Sequence, residues 1–323
     1  MGWRISIMVI FAILAVTGFL LSIVMGSVEI PVSEIIGSIM GTSAGIHENI
    51  FLNIRLPRTV VGALVGINLA LSGAILQAIM KNPLADPHII GISSGAGIAG
   101  IMVILMFPGH EMLITPVAFI GAMLAAVCIY ILAWKNGIRP VRIILAGVAV
   151  SAFLGAGISG MMIFNSDRIH NALMWMVGGL SARGWAHASM IWPYSLSGGL
   201  LAFLAAGHIN ILQLGDDVAR GLGVRVELTR VFLTAVAAIL AASAVSVAGL
   251  LGFVGLVVPH AARLLIGSDY RFLLPASALL GMALVTIGDT MARTVFAPIE
   301  LPVGILMAVL GAPFFLFLLR REL

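Results

Sequence analysis

Ten apolar runs, most of them close to 20 residues long and nearly free of charge, constrain this chain more than any other feature. They lie near Trp3–Met25, Thr59–Met80, Ile89–Phe107, Leu113–Trp134, Val141–Phe164, Ser189–Ala206, Leu228–Leu250, Phe253–Ile266, Phe272–Phe296 and Val303–Leu319. A helix crossing the hydrocarbon of a bilayer needs about 20 such residues. Of 323 residues, 61% are hydrophobic and 9% charged, whereas a soluble domain carries about 25% charged residues. Too little polar surface is available to cover a water-soluble particle of this size. The predicted fold is all-α, with about ten transmembrane helices in one membrane domain over residues 1–323. The connections are too short for a separate catalytic domain. The first run is too long for the apolar region of a signal peptide and reads as a retained helix.

With the N-terminus inside, the basic residues divide unequally across these runs. Arg4, Lys81, Lys135, Arg139, Arg142, Arg220, Arg225, Arg230, Arg263, Arg271, Arg320 and Arg321 fall inside, 12 in all. Arg55, Arg58, Arg168, Arg183 and Arg293 fall outside, 5 in all. The excess places both termini in the cytoplasm. Trp175, Trp185 and Trp192 cluster near the outer boundary, where amphipathic rings settle at headgroup level. The outer connection Asn165–Ala188 contains Ala172–Val177, which suits a short interfacial helix. The net charge of +4 thus reflects topology rather than nucleic-acid binding. Cys128, the single cysteine, lies in an apolar run and reads as a small packing residue.

Gly62–Gly66 and Gly95–Gly100 would let helix backbones approach closely. The second spells G-x-G-x-x-G but follows no strand and lacks the distal acid of a dinucleotide site.

Few residues offer chemistry. Asp289 is the one acid well inside a run, with Arg293 a turn further on as a neutralising partner. The seven histidines include no H-E-x-x-H zinc arrangement; His170 and His187 share an outer connection. The two lysines, Lys81 and Lys135, do not stand in the Gly-Lys-Ser/Thr setting of a phosphate loop. No catalytic residue, cofactor or metal site is expected, and any ATP must be bound by another chain.

The segment Leu214–Arg230 is the most informative inner connection. Asp216 is predicted to cap a short helix, which Gly221 and Gly223 would end before a second helix begins. Val218, Leu222 and Val224 suit docking into a partner's groove, although an ordinary surface loop has the same composition.

Several blocks recur in order along nearly the whole chain. They are Arg55-Leu-Pro-Arg58, Ser72-Gly-Ala-Ile-Leu-Gln77, Asn82-Pro-Leu-Ala-Asp-Pro87, Gly91-Ile-Ser-Ser-Gly-Ala-Gly97, Leu145-Ala-Gly147, Gly252-Phe-Val-Gly-Leu-Val-Val-Pro-His260, Glu300-Leu-Pro-Val-Gly304 and Leu310-Gly-Ala-Pro-Phe314. Together they closely resemble the permease family of type II ABC importers for ferric siderophores, haem and cobalamin. The resemblance implies two inverted four-helix halves plus extra helices. It also implies a second permease subunit, identical or related, two ATP-binding subunits and an extracytoplasmic substrate-binding protein in a bacterial or archaeal cell membrane.

By the same resemblance, Asp216, Asp217, Arg220, Gly221, Gly223 and Arg225 belong to paired coupling helices seated on the ATPase. Arg55, Arg58 and Arg293 match arginines that dock the binding protein, while anchoring at anionic headgroups is the alternative. Met161, Met162, Met174 and Met176 are candidates to line the pathway, with core packing as the alternative for each. The implied substrate is a metal chelate, first a ferric siderophore, next cobalamin or haem. The competing reading is a secondary transporter driven by an ion gradient, for which Asp289 is the available midplane acid.

Overall fold

The computed structural model describes all residues except 27, 42–44, 89, 136–139 and 323, and omits the side chains of 317–319, 321 and 322. Arg139 and the side chain of Arg321, both counted as inner cations, therefore lie outside the described residues. Every regular element among the described residues is helical.

Helix α1 (Gly2–Val24) is followed by α2 (Val32–Ile39) and α3 (Ile46–Ile50). A π-turn, Phe51–Arg55, leads into α4 (Leu56–Met80) without a break. Then come α5 (Ile92–Met106), α6 (Ile114–Ala133) and α7 (Pro140–Phe164). The predicted interfacial helix is α8 (Ile169–Val177). Helices α9 (Trp185–Leu204) and α10 (Ala206–Gln213) meet at a 51° bend. The chain continues with α11 (Asp216–Gly221), α12 (Val226–Ala248), α13 (Val254–Ile266), α14 (Tyr270–Thr294) and α15 (Val303–Glu322).

Six helical segments are long and apolar enough to span a bilayer: α1, Ile46–Met80, Glu111–Ala133, α7, α12 and α14. The bent α9–α10 pair makes a seventh, and α5, α13 and the Val303–Leu316 part of α15 are shorter apolar helices. These match the ten runs. Pro259 lies inside α13 rather than breaking it. The interruption comes earlier, between α12 and α13, where Gly249 adopts φ +76° and Phe253 φ +67°.

Helix α4 is the centre of the molecule, packed by α14, α12, α13 and α9. Without water to drive association inside a membrane, helices pack through close backbone approach. A methyl group built on Gly66 would collide with the carbonyl of Gly281, and one on Gly95 with that of Gly121. Glycine at these crossings fulfils the packing role read from the sequence. Cys128, by contrast, is exposed on α6 beside exposed Leu124 and Val127. It faces outward because the buried side of α6 carries the alanines Ala118, Ala122 and Ala125.

The four-helix runs α4–α7 and α12–α15 start at opposite ends of the bundle, one near Arg58 and the other near Lys81. In both, the second helix is short and begins from a left-handed residue, Gly91 (φ +96°) or Phe253 (φ +67°). The N-terminus lies at the Lys81 end, where Trp3 Nε1 donates to the Leu265 carbonyl (3.0 Å) and Arg4 lies 3.6 Å from Asp269. Phe314 and Phe315 near the other terminus lie against Pro83 and Leu84 at that same end.

Candidate transport sites at the two ends of the bundle

Pro57 follows the π-turn Phe51–Arg55 inside the continuous segment Ile46–Met80, so the widened turn adjoins the place where its missing N–H removes a helix bond. One residue on, Arg58 reaches across to α14. Its Nε and Nη2 donate to the two carboxylate oxygens of Asp289, each at 2.9 Å, and Nη1 donates to Glu300 Oε2 at 2.8 Å. Such bidentate pairing is the strongest geometry open to a guanidinium. Arg293 donates to the Ser22 hydroxyl at 3.0 Å and to the Ser22 carbonyl, with its Nε 3.7 Å from Asp289. The neutralising partner of Asp289 is thus chiefly Arg58, and Arg293 is secondary. Arg55 donates to the carbonyls of Ile23 (3.3 Å) and Val24 (2.6 Å), which are free C-terminal carbonyls of α1, and to that of Val28 in the connection beyond.

All three arginines are buried. Glu300, in the α14–α15 connection, is the most accessible member, its side chain 34% exposed. Burial alone would raise its pKa, but the hydrogen bond and charge of Arg58, with the Ser181 hydroxyl 3.3 Å away, hold it below the usual carboxylate range.

Beside this cluster lies a cavity of about 550 Å³ lined by Arg168, Asn171, Met174, Trp175, Arg183 and Glu300, among others. Arg168 is held by the Leu105 carbonyl (2.7 Å) and Asp167 (3.5 Å). Arg183 Nη1 lies 3.1 Å from His187 Nε2, and His187 Nδ1 accepts from the Gly184 amide at 3.3 Å. His187 therefore caps α9, and His170 is exposed on α8. Burial lowers the pKa of Arg183.

A second cavity, about 610 Å³, is lined by Asp86, His88, Met176, Phe253, Gly304 and others. Asp86 is buried, and this raises its pKa against the opposing hydrogen bond from the His88 amide. Nothing in the sequence around Asp86 signalled a buried acid; its loop looks solvated until α13 covers it. Of the four methionines, Met174 and Met176 line the two cavities. Met161 and Met162, on α7, pack partly buried against the core.

At the far end of α4 sits the Leu214–Arg230 element. Its turn is a Schellman motif: the Gly223 amide donates to the Arg220 carbonyl (2.9 Å) and the Val224 amide to Ala219 (3.0 Å). Gly223 takes the left-handed φ of +83° that this motif needs, whereas Gly221 is simply the last residue of α11. Asp216 does not cap α11. The N-cap is Gly215, with φ +108°, and the Asp216 carboxylate turns inward instead. Asp216 Oδ1 accepts from Arg230 Nη2 at 2.7 Å and from Lys81 Nζ at 3.3 Å. Burial opposes its ionisation, but Arg230 and then Lys81 outweigh that and lower its pKa. Asp217 and Arg220 point outward and pair at 3.3 Å. Leu214, Val218 and Leu222 stand exposed beside them.

Known proteins supply the frame for these two ends. Residues 13–321 match the FecCD transport family. The Fe(3+)-citrate import system permease protein YfmE of Bacillus subtilis is 38% identical over 97% of this chain and 94% of its own length. The cobalamin import system permease protein BtuC of Halobacterium salinarum is 45% identical over 82% of this chain and 72% of its own. The hemin transport system permease protein HmuU of Yersinia pestis is 41% identical over 83% and 82%. A solved metal-chelate type ABC transporter in an inward-facing conformation superposes with a TM-score of 0.87, at 26% identity, over 98% of this chain and 99% of that one. This multi-pass membrane protein belongs to the FecCD transport family.

Proposed function

We propose that this chain is the membrane-spanning permease of an ATP-driven importer for a metal chelate, with a ferric siderophore as the first candidate and cobalamin or haem next. The observation that carries the reading is the pairing of two features on one rigid frame. One end bears a cavity of about 550 Å³ between arginine-bearing connections. The other bears a compact two-helix element with exposed Leu214, Val218 and Leu222. Relatives named for citrate, cobalamin and haem import bracket the substrate class.

In this reading the Lys81 end is cytoplasmic, consistent with the basic residues gathered there. ATP is hydrolysed by separate subunits seated on Asp217, Arg220, Leu222 and Arg225, and the Gly223 turn holds that surface in shape. A second permease subunit completes the pathway, with Met174 and Met176 on its wall. The binding protein docks at the Arg58 end. Arg55 and Arg293 are committed to backbone carbonyls there, so they shape the surface. Arg58 is the one able to exchange a partner, releasing Glu300 for an acidic group of the binding protein.

A second reading, proton coupling, is favoured by one observation: Asp86 is a buried carboxyl beside a cavity. Asp289, the acid first considered for that role, has both oxygens taken by Arg58.

The test is uptake of radiolabelled ferric siderophore, haem and cobalamin into proteoliposomes holding the permease with its co-expressed ATP-binding subunits and binding protein. Uptake of one chelate that requires ATP and survives a protonophore is the expected result. Uptake driven by a proton gradient without ATP would establish the second reading and overturn the first.

A further inference from the structure

Asp216 sits in the proposed coupling element, yet its carboxylate faces away from any cytoplasmic partner. It joins three helices. Arg230, which grips it at 2.7 Å, is a buried residue of α12. Lys81, the second donor at 3.3 Å, ends α4 in a left-handed conformation, φ +48°. That conformation closes α4 as a Schellman cap, the Lys81 amide donating to the Ala78 carbonyl (3.2 Å) and the Asn82 amide to the Gln77 carbonyl (3.2 Å), so Lys81 is built into the last turn of α4 itself. A neighbouring contact acts in the same sense: Gln213 Nε2 donates to the Ala78 carbonyl at 3.0 Å, tying the end of α10 to the last turn of α4.

Helix α4 has 25 residues and so spans about 37 Å. Its far end is fixed in the Arg58–Asp289 cluster. A displacement of α11 that carries Asp216 with it must load α4 at its end, whereas Asp217 has a fully exposed side chain and no such route.

We propose that the Lys81–Asp216–Arg230 node is the joint through which movement of the coupling element reaches the central helix, which makes Asp216 a positioning residue for transport and not a contact for the ATP-binding subunit. This inference rests on the coupling role proposed above for residues 214–230.

The experiment uses the complete importer in proteoliposomes and records ATP hydrolysis, chelate uptake and retention of the ATP-binding subunits. For Asp216→Asn, uptake per ATP is expected to fall at least about fivefold, the lower range of usual site-to-site coupling, with subunit retention and ATPase rate preserved. Lys81→Met, at a partly exposed position, should reproduce the loss, and Lys81→Arg should largely restore it. A second measurement covers poor folding of the Asp216 variant. Spin labels at Val218→Cys and Asn82→Cys, in a Cys128→Ala background, should keep one separation through the ATP cycle with Lys81 present. With Lys81→Met they should separate on ATP binding. Unchanged uptake per ATP in both variants, or label separation that ignores Lys81, overturns the joint. Loss of the ATP-binding subunits from Asp216→Asn overturns it too. The underlying coupling reading fails separately, if Val218→Glu with Leu222→Glu leaves subunit retention intact.

Discussion

The two ends of α4 are built from the same residue types and differ because the Arg58–Asp289 pair is shut off from water and the Lys81–Asp216 pair is not. At the Arg58 end, Arg58 and Asp289 meet with side chains 8% and 2% exposed. At the Lys81 end, Lys81 and Asp216 meet at 40% and 31%. Removing one partner of a desolvated pair strands a charge, at a cost of about 3–5 kcal/mol. A half-solvated pair contributes little more than about 1 kcal/mol. The first is costly to break and fixes one end of α4; the second adds little stability of its own, so its part in the joint proposed above is to carry displacement and not to hold the fold together.

The largest expected effect tests the fixture. Asp289→Ala should destabilise the purified permease by about 3–5 kcal/mol, read as a fall in melting temperature in detergent or as loss of folded protein. Asp289→Asn, which keeps an acceptor for Arg58, should lose less. A mild effect from the alanine variant would mean that water enters the cluster, and the contrast between the ends would collapse.

Next in size is the turn. Gly223→Val places a β-branched residue at φ +83°, which costs about 1–2 kcal/mol. Because α11 is short and exposed, the damage should stay local: global melting unchanged, retention of the ATP-binding subunits reduced. An equal drop in melting temperature would show that the Lys81 end is as rigid as the other.

Glu300→Gln is a smaller perturbation on the fixture's rim. If Arg58 exchanges partners on docking, weakening its hold on Glu300 should strengthen binding-protein affinity several-fold, by less than about 1.4 kcal/mol. Surface plasmon resonance at two salt concentrations measures it, and unchanged or weaker affinity would count against the exchange.

The smallest effect is with pH. The folded-state pKa of Asp216 lies below its ordinary value, so its contribution is present above the usual carboxylate range and lost as pH falls through the lowered value. Since the group is about a third exposed, the loss is under about 1 kcal/mol. Uptake per ATP should be flat near neutrality and decline only in acid. A decline already near neutral pH would point to another group.

What the sequence made legible follows from how local each determinant is. A membrane span is encoded by its own residues, so all ten runs and α8 were legible, but the second helical segment begins at Ile46, ahead of the run Thr59–Met80, and α2 and α3 in the connection before it were not read. Gly66 and Gly95 could be read because a small residue announces close packing without naming its partner. Partner identity was harder. Asp289 was matched with Arg293, four positions on, but its bidentate partner Arg58 is 231 positions away. Asp216 looked like a helix cap because aspartate before a helix usually is one. Only the tertiary fold brings Lys81, 135 positions away, under it. The run Ser189–Ala206 ends at the break after α9, but α10 beyond it was not read: it is held by Asn210, whose amide donates to Asp269 at 2.7 Å, a contact no local pattern predicts.

Enclosing α4 has a price during synthesis. Its Asn68 side chain finds its partner in Ser243, at 2.9 Å and 175 positions later in the chain. At translation rates of roughly 5–20 residues per second, that interval lasts about 9–35 s. Until then the Asn68 amide and the Ser72 hydroxyl, whose acceptor is the Ala237 carbonyl, lack the partners they have in the finished fold. The helix at the heart of the finished protein is therefore among the first to be made and completes its contacts only once α12 and α14 have followed.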